Sequence, residues 1–303
     1  MKLKTCKLES IKELHEIINE EISKNKKSKL IFRGESSSKY ELLPSALRKN
    51  GLEYYHGLKP RIEPIQEYEQ VAAELNILQK LAKAIQGKSS RADIELSFIL
   101  KNQDMEERRE QLKSFLHSNY KNWISPILWD IVAFGQHHGI PTRALDWTSS
   151  IDTASFFTSS GALPKVIKSL ELGQQPDDEM VIWMLNTAKL DSKLPLEIVD
   201  ARDTNKNAEA QDSVLTCWVK KAPFNGPVDL RTFDKVLEDY KMSDALTKLT
   251  FPAVKSGEML QDIYVKDLHE GRNTARTLFP GEYGKVKYAN DLINIEKFES
   301  LTK

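Results

Sequence analysis

The sequence has few of the features that mark membrane, secreted or nucleic-acid-coating proteins. Its two cysteines, Cys6 and Cys217, do not suggest a disulfide framework. No apolar run reaches the roughly 18 residues of a membrane span, and no apolar segment follows the basic N-terminus as in a secretory signal. The 44 basic and 44 acidic residues balance, which argues against a broad phosphate-binding face but not against a local basic groove. We therefore expect a reduced, cytoplasmic protein.

Several common catalytic motifs are also missing. The chain has no P-loop, no GxGxxG, no G-x-S-x-G and no HExxH, which removes the commonest nucleotide-binding and hydrolase interpretations. His137 and His138 are adjacent at a predicted helix end, so they cannot easily bind one ion, and the other histidines are scattered. We expect no catalytic metal, which disfavours a nuclease or another phosphodiesterase.

Hydrophobic periodicity predicts an α+β fold. Ser10 and Glu13 form a capping-box pattern before an amphipathic helix, and Leu30-Ile31-Phe32 predicts a short buried strand. Further strands are predicted at 180–185 and 214–219, helices at 150–157, 233–240 and 262–269, and a polar loop at 203–207. These elements predict a small, twisted, mainly antiparallel sheet surrounded by helices, in one domain spanning 1–303.

Residues from about 50 to 122 differ from the rest in composition. Three charged, helix-prone segments with few β-branched residues occur there: 67–85, 93–101 and 106–120. We interpret this region as a helical insertion into the single domain.

The densest group of chemically able side chains lies between Ala133 and Trp147, which reads AFGQHHGIPTRALDW. Six polar residues fall within eleven positions: Gln136, His137, His138, Thr142, Arg143 and Asp146. Apolar residues are interleaved with them, so these polar groups lie next to a core and must be paired or used. This mixture indicates a site.

Arg33 stands at the end of the first predicted strand and precedes Gly34. An arginine in that position can hold a phosphate or a carboxylate with its planar fork, and a glycine lets a ligand approach the backbone. The alternative is a structural arginine paired with an acid such as Asp146.

The residues of the turn also allow two interpretations. Gln136 and His137, in the last turn of a predicted helix, can supply a general base or hydrogen bonds of a structural or functional kind. Arg143 and Asp146 are close enough in sequence to pair within the turn that starts at Thr142. We expect this pair to be mostly buried, and Asp146 is also positioned to cap the following helix.

Three blocks of the chain together resemble the FRG domain, which is named for its Phe-Arg-Gly tripeptide. They are Phe32-Arg33-Gly34 with 42–48 (LLPSALR), the central block 136–148 (QHHGIPTRALDWT), and Leu278-Phe279-Pro280 with Gly284. A fourth segment, 210–216 (AQDSVLT), is similar to the family's Ala-Gln-x-Gly-x-Phe-Thr pattern but lacks its glycine and phenylalanine. The resemblance spans roughly residues 28 to 290.

This family is widespread in bacteria and phages, in contexts that suggest defence or toxicity. Its Arg-Gly pair also looks like the first motif of mono-ADP-ribosyltransferases, in which the arginine grips NAD. In those enzymes a Ser-Thr-Ser strand shapes the pocket and a late glutamate activates the nucleophile. The resemblance implies that Thr148-Ser149-Ser150 stands for the middle motif and that the late acid is Glu209 or Glu282.

The expected function is therefore a cytoplasmic ADP-ribosyltransferase or NAD glycohydrolase that acts in phage defence or as a toxin. The candidate catalytic residues are Gln136, His137, Asp146, Glu209 and Gln211. The candidate NAD-binding residues are Arg33, Gly34, Thr142 and Arg143. The alternative is a non-enzymatic module that senses or binds a protein or nucleic acid, with the same residues as its structural core. No pattern indicates the oligomeric state.

Overall fold

The computed structural model of the chain describes residues 3–24, 29–51, 65–87, 95, 98–102, 104–271 and 273–303. Its strands are β1 (Lys4–Lys7), β2 (Leu30–Glu35), β3 (Asn122–Trp123), β4 (Leu145–Thr148), β5 (Glu179–Asn186), β6 (Leu196–Asp200), β7 (Ser213–Trp218), β8 (Lys220–Lys221) and β9 (Leu246–Pro252). Its helices are α1 (Ile11–Lys24), α2 (Glu67–Gln86), α3 (Met105–Asn119), α4 (Trp129–His137), α5 (Ile151–Glu171), α6 (Lys206–Ala210), α7 (Phe233–Asp239), α8 (Ser256–Glu270), α9 (Ala275–Leu278) and α10 (Glu282–Thr302).

In the described residues, seven strands form one mixed sheet in the order β1-β9-β5-β2-β4-β7-β6. β1 runs parallel to β9, and the other neighbouring strands are antiparallel. β3 and β8 form a separate antiparallel pair. The α+β fold predicted from the sequence, with a mainly antiparallel sheet and helices around it, is confirmed.

The two faces of the sheet carry separate apolar cores because side chains alternate along each strand. On β5, Met180, Ile182 and Met184 pack with residues of α1, α5 and α8. The intervening Val181 and Trp183 pack on the opposite face, with α7 and with apolar residues of β4. A further apolar layer joins α5 to α8 and α10.

The helices α2 and α3 lie between β2 and β4 in the chain, within the predicted helical region. They pack together around Trp123 and Trp129, and Leu215 of β7 joins the same core. Their bounds match two of the three predicted segments, whereas the segment at 93–101 lies only partly within the described residues. That this region is an insertion into one domain stays a prediction.

Two local predictions about helices need correction. The helix predicted to end near residue 157 continues to Glu171. Its buried hydroxyls are satisfied by the backbone of the helix itself, since Thr158 donates to the Ala154 carbonyl at 2.9 Å and Ser159 to the Ser155 carbonyl at 2.7 Å. The polar loop predicted at 203–207 is also wrong. The Asn205 side chain accepts from the backbone N–H of Ala208 at 2.9 Å and so caps α6.

Candidate functional site

The Phe-Arg-Gly motif lies on β2 where β2 and β4 separate. The two strands pair at Phe32 and Thr148, and Arg33 then reaches across the gap. Its Nη1 donates to the backbone carbonyl of Asp146 at 2.7 Å, and its Nη2 donates to Glu35. Its Nε is buried and has no hydrogen-bond partner in the protein. Arg33 therefore ties the two strands together and keeps one unused N–H donor.

The Asp146 carboxylate is held by the end of α4. Gln136 Nε2 donates to Asp146 Oδ2 at 2.6 Å and to the Ala144 carbonyl at 3.3 Å. The orientation of this amide follows from Thr142, whose hydroxyl donates to Gln136 Oε1 at 2.7 Å. The three residues form a chain of hydrogen bonds that ends on a half-buried carboxylate.

The surroundings of Asp146 shift the pKa of its carboxyl group upward. Burial raises the pKa of the Asp146 carboxyl above its usual range, and the nearby Glu35 carboxylate adds to this effect. Arg33, His137 and the hydrogen bond from Gln136 act in the opposite direction. Asp146 is thus a carboxyl group with a raised pKa beside a second acidic side chain, Glu35.

His137 has the complementary property. Burial lowers the pKa of its imidazole, with a further contribution from His138, while Asp146 acts to raise it. The structure therefore brings together an acid with a raised pKa and a base with a lowered pKa. Such opposed pairs are typical of sites that perform general acid–base chemistry.

Glu35 belongs to this cluster although the sequence pattern did not single it out. It lies two residues after Arg33 on β2, so both side chains project from the same face of the strand. Both side chains are 17% exposed. The period of two along the strand could have indicated this pair. We define the half-open cluster as Arg33, Glu35, Gln136, His137 and Asp146.

Gly34 has a packing role in the structure. The sequence pattern predicted instead that a ligand approaches the backbone at this glycine. A Cβ at this position would lie 2.1 Å from the Ala154 carbonyl oxygen and 2.3 Å from Thr158 Oγ1. Helix α5 therefore occupies the space beside the glycine. The close approach of this helix accounts for the glycine, and the approach of a ligand to the backbone at Gly34 stays a prediction.

Arg143 is sealed inside the protein and does not pair with Asp146. Its side chain is 2% exposed, and it forms ion pairs with Glu67 and Glu74, which both lie on α2. Glu74 also accepts from Trp123 Nε1 at 2.6 Å. The predicted Arg143–Asp146 pair is wrong, and this guanidinium has no free edge with which to grip NAD. We call Arg143, Glu67 and Glu74 the sealed cluster.

Three candidate residues that follow β4 in the sequence have other surroundings than the half-open cluster. Gln211 is buried, and its amide donates to the Leu278 carbonyl at 2.9 Å, so it joins the 210–216 segment to the closing block. Glu209 is exposed on α6. Glu282 is exposed and pairs with Lys285. Within the described residues, no hydrogen bond or ion pair links these three to Asp146.

Thr148 and Ser150 act as caps rather than as a pocket wall. The Thr148 hydroxyl donates to the Gln211 carbonyl at 2.7 Å and accepts from Ser150 N at 3.0 Å. Ser150 Oγ in turn accepts from Thr153 N at 3.2 Å at the start of α5. The segment that the resemblance assigned to the middle motif of ADP-ribosyltransferases thus starts a helix.

In the parts of the chain that the structure describes, no three His, Cys, Asp or Glu side chains are grouped so as to hold a metal ion. No helix among the described residues is long and apolar enough to cross a membrane.

These features define an α+β protein with a half-open acid–amide–imidazole cluster beside an arginine at a strand gap. The family model of the FRG domain matches residues 28–165, which include all five residues of the half-open cluster. The predicted resemblance to the FRG domain is thus confirmed over residues 28–165, whereas the blocks near 211 and 278 lie outside the matched span. No curated protein and no solved structure shows significant similarity to the chain.

Proposed function

We propose that the chain is an NAD-using enzyme, an ADP-ribosyltransferase or an NAD glycohydrolase, and that the half-open cluster is its active site. The observation that carries this proposal is the Asp146 carboxyl, half-buried, raised in pKa and adjacent to Glu35, Arg33 and His137. Oppositely perturbed titratable groups concentrate at functional sites.

The residues present fit the chemistry of N-glycosidic bond cleavage. NAD supplies a bond whose cleavage develops oxocarbenium-like positive charge on the ribose, which a carboxylate stabilises. Asp146 and Glu35 would supply that carboxylate, and the unpartnered Nε of Arg33 would donate to an anionic oxygen of the substrate. His137, neutral because its pKa is lowered, would accept a proton from the attacking nucleophile.

The proposal assigns the catalytic carboxylate to Asp146 with Glu35, and not to Glu209 or Glu282. The latter two are exposed, and no contact in the described residues connects them to Arg33. The acceptor would be water, a protein or a nucleic acid. We place the activity in the cytoplasm, in phage defence or toxicity, as the resemblance to the FRG family implies.

The direct test is nicotinamide release from NAD by purified protein, with and without a cell lysate as a source of acceptors. Asp146→Asn should reduce the rate by roughly a hundredfold or more, the usual effect of removing an acid–base group. Asp200→Asn is the matched control, because Asp200 is exposed and pairs with Arg202. An inactive wild type in both conditions would contradict the proposal, as would an active Asp146→Asn protein.

A second function is favoured by one observation. The Nη1 of Arg33 donates to a backbone carbonyl and thereby bridges β2 and β4, which is a structural use of the motif. This supports a non-enzymatic module that binds a protein or nucleic acid. Arg33→Lys separates the two functions, because lysine keeps the charge but loses the planar fork. Loss of nicotinamide release with an unchanged melting temperature supports the enzyme, whereas a lower melting temperature in a protein that never releases nicotinamide supports the module.

A further inference from the structure

A cavity of about 420 Å³ lies on the same face of the sheet as Arg33. Arg33, Trp183 and Lys248 are directly opposite one another on β2, β5 and β9. Their side chains therefore project from one face in a continuous row. Trp183 and Lys248 line the cavity, together with residues of the segment that follows β2 and of the segment that leads into α7. Its volume lies within the range of small-molecule sites.

The indole of Trp183 has an unused donor at the wall of this cavity. The side chain is 4% exposed, and its Nε1 has no hydrogen-bond partner in the protein. A buried tryptophan N–H ordinarily finds an acceptor, because leaving it unpaired costs free energy. Nε of Arg33, on the adjacent strand, is unpartnered in the same way. Two neighbouring residues of one row thus lack acceptors.

Lys248 brings a positive charge to the same wall. Its ammonium group donates to the Ser38 carbonyl at 3.0 Å and lies 5.3 Å from the centre of the Trp183 ring. Among the described residues, no carboxylate pairs with it. The other cations of the lining are already paired: Lys39 with Asp178, Arg231 with Asp229 and Asp239, and Lys235 with Glu238. Among the described residues of the lining, Lys248 is therefore the cation without a carboxylate partner.

One part of the lining suits a planar group. Tyr40, which is 43% exposed, and the apolar Leu42 and Leu230 border the cavity. Lys165 donates to the Tyr40 hydroxyl at 3.0 Å and lowers the pKa of that phenol, so it holds the ring in place. Aromatic and aliphatic side chains are typical contacts for the ring of a ligand. The rest of the lining is polar and includes the carboxylates of Glu41 and Asp234, so the ring would be confined to this part of the wall.

We propose that this cavity binds a small anion that carries a planar ring, with Lys248 and Trp183 Nε1 directed to the anionic group and Tyr40, Leu42 and Leu230 to the ring. A nucleoside monophosphate and an aromatic carboxylate share this chemistry. The site is distinct from the half-open cluster, since its lining contains none of that cluster's residues. Its binding does not depend on whether the chain turns over NAD.

Isothermal titration calorimetry with adenosine 5′-monophosphate and with benzoate, in the absence of NAD, tests the site and identifies which anion it takes. At least one of the two should bind. Adenosine and inorganic phosphate, which each lack one of the two features, should bind much more weakly. Lys248→Met, which keeps the aliphatic stem over the indole, should weaken binding by about tenfold or more, as expected for loss of a charged hydrogen-bond donor. Trp183→Phe should weaken it less, because the ring is kept.

The matched control is Lys285→Met, which removes an exposed lysine of α10 that pairs with Glu282 and should leave binding unchanged. Asp146→Asn should also bind normally, and this separates the cavity from the proposed active site. The proposal is overturned if neither ring-bearing anion binds, if adenosine or phosphate binds as tightly as the ring-bearing anion that does bind, or if Lys248→Met binds that anion like the wild type.

Discussion

Two of the arginines within residues 28–165, Arg33 and Arg143, lie in opposite environments. Arg143 is 2% exposed and is enclosed by Glu67 and Glu74, whereas Arg33 is 17% exposed and keeps an unpartnered Nε. Burial disfavours the charged form of Arg143, but the two glutamates outweigh it, so the guanidinium stays charged and immobile. The environment of the sealed cluster is thus typical of a structural ion-pair network, and the environment of the half-open cluster is typical of a ligand-binding or catalytic site.

The difference shows how to tell a structural ion pair from a functional one. In the sealed cluster the Arg143 fork is enclosed by the two acids, and Gln70 and Trp123 donate to Glu74 as well. In the half-open cluster, the Arg33 fork is shared between a carbonyl and a single acid, and a neighbouring carboxyl is raised in pKa. Each cluster leaves one buried polar atom unpartnered, Glu67 Oε2 in the sealed cluster and Arg33 Nε in the half-open one. The raised pKa of Asp146 is therefore what sets the half-open cluster apart.

The largest expected effect is on the sealed cluster. Arg143→Met should leave two buried carboxylates without a counter-charge, and losing one partner of such a group costs on the order of 3–5 kcal/mol. Urea unfolding should show this loss of stability, whether or not the protein binds a ligand. Arg202→Met is the control, because Arg202 is an exposed arginine that pairs with the exposed Asp200, and the unfolding midpoint of this variant should stay near that of the wild type. A wild-type midpoint for Arg143→Met would refute the anchoring role.

A smaller loss is expected from Gly34→Ala beside the half-open cluster. The new Cβ would lie 2.1 Å from the backbone carbonyl of Ala154, which cannot move without shifting α5. Overpacking of this kind typically costs about 1–3 kcal/mol. Gly161→Ala is the matched control on α5, since its Cβ would meet the side chain of Ser36 at 3.0 Å. The packing role fails if Gly161→Ala lowers the melting temperature as much as Gly34→Ala does.

The sequence predicted the fold class and the centre of the site because both depend on local pattern. The buried strand at β5 and the dense polar turn from Gln136 to Asp146 were recognisable from residue order. The strand β9 was not, because its sequence LTKLTFP shows no regular alternation of apolar and polar residues, and its pairing with β5 is what defines it as a strand. Pairing between distant strands is decided by tertiary contacts that no single segment contains.

The partners of the two arginines were hardest to predict for the same reason. Arg143 was expected to pair three residues away with Asp146, but its partners lie 69 and 76 residues away in the sequence. A signal existed: Glu67 and Glu74 are seven residues apart on one face of α2, and acids on an apolar helical face require a cation. The identity of that cation depends on how α2 docks, which the sequence does not encode locally.

The smallest expected effect concerns the pH dependence of stability. The pKa of Asp146 is raised in the folded state, so this carboxyl contributes stability that is full below its unfolded pKa of about 3.9 and is lost as the pH rises through the folded value. Asp146→Asn does not titrate at this position. The stability of the wild type relative to the variant should therefore decrease as the pH is raised from about 4 towards 7, measured by urea unfolding at each pH.

Asp200→Asn supplies a control of opposite sign. The hydrogen bond from Arg202 lowers the pKa of Asp200, so its contribution is present above the unfolded pKa and is lost as the pH falls. The free energy of unfolding of the wild type relative to Asp200→Asn should therefore increase, or stay constant, as the pH rises. If the stability of the wild type relative to Asp146→Asn also increases with pH, the pKa of Asp146 is not raised in the folded protein. The half-open cluster would then lose the property that distinguishes it from an ordinary ion-pair network, and Arg33 would have to be considered an anchor like Arg143.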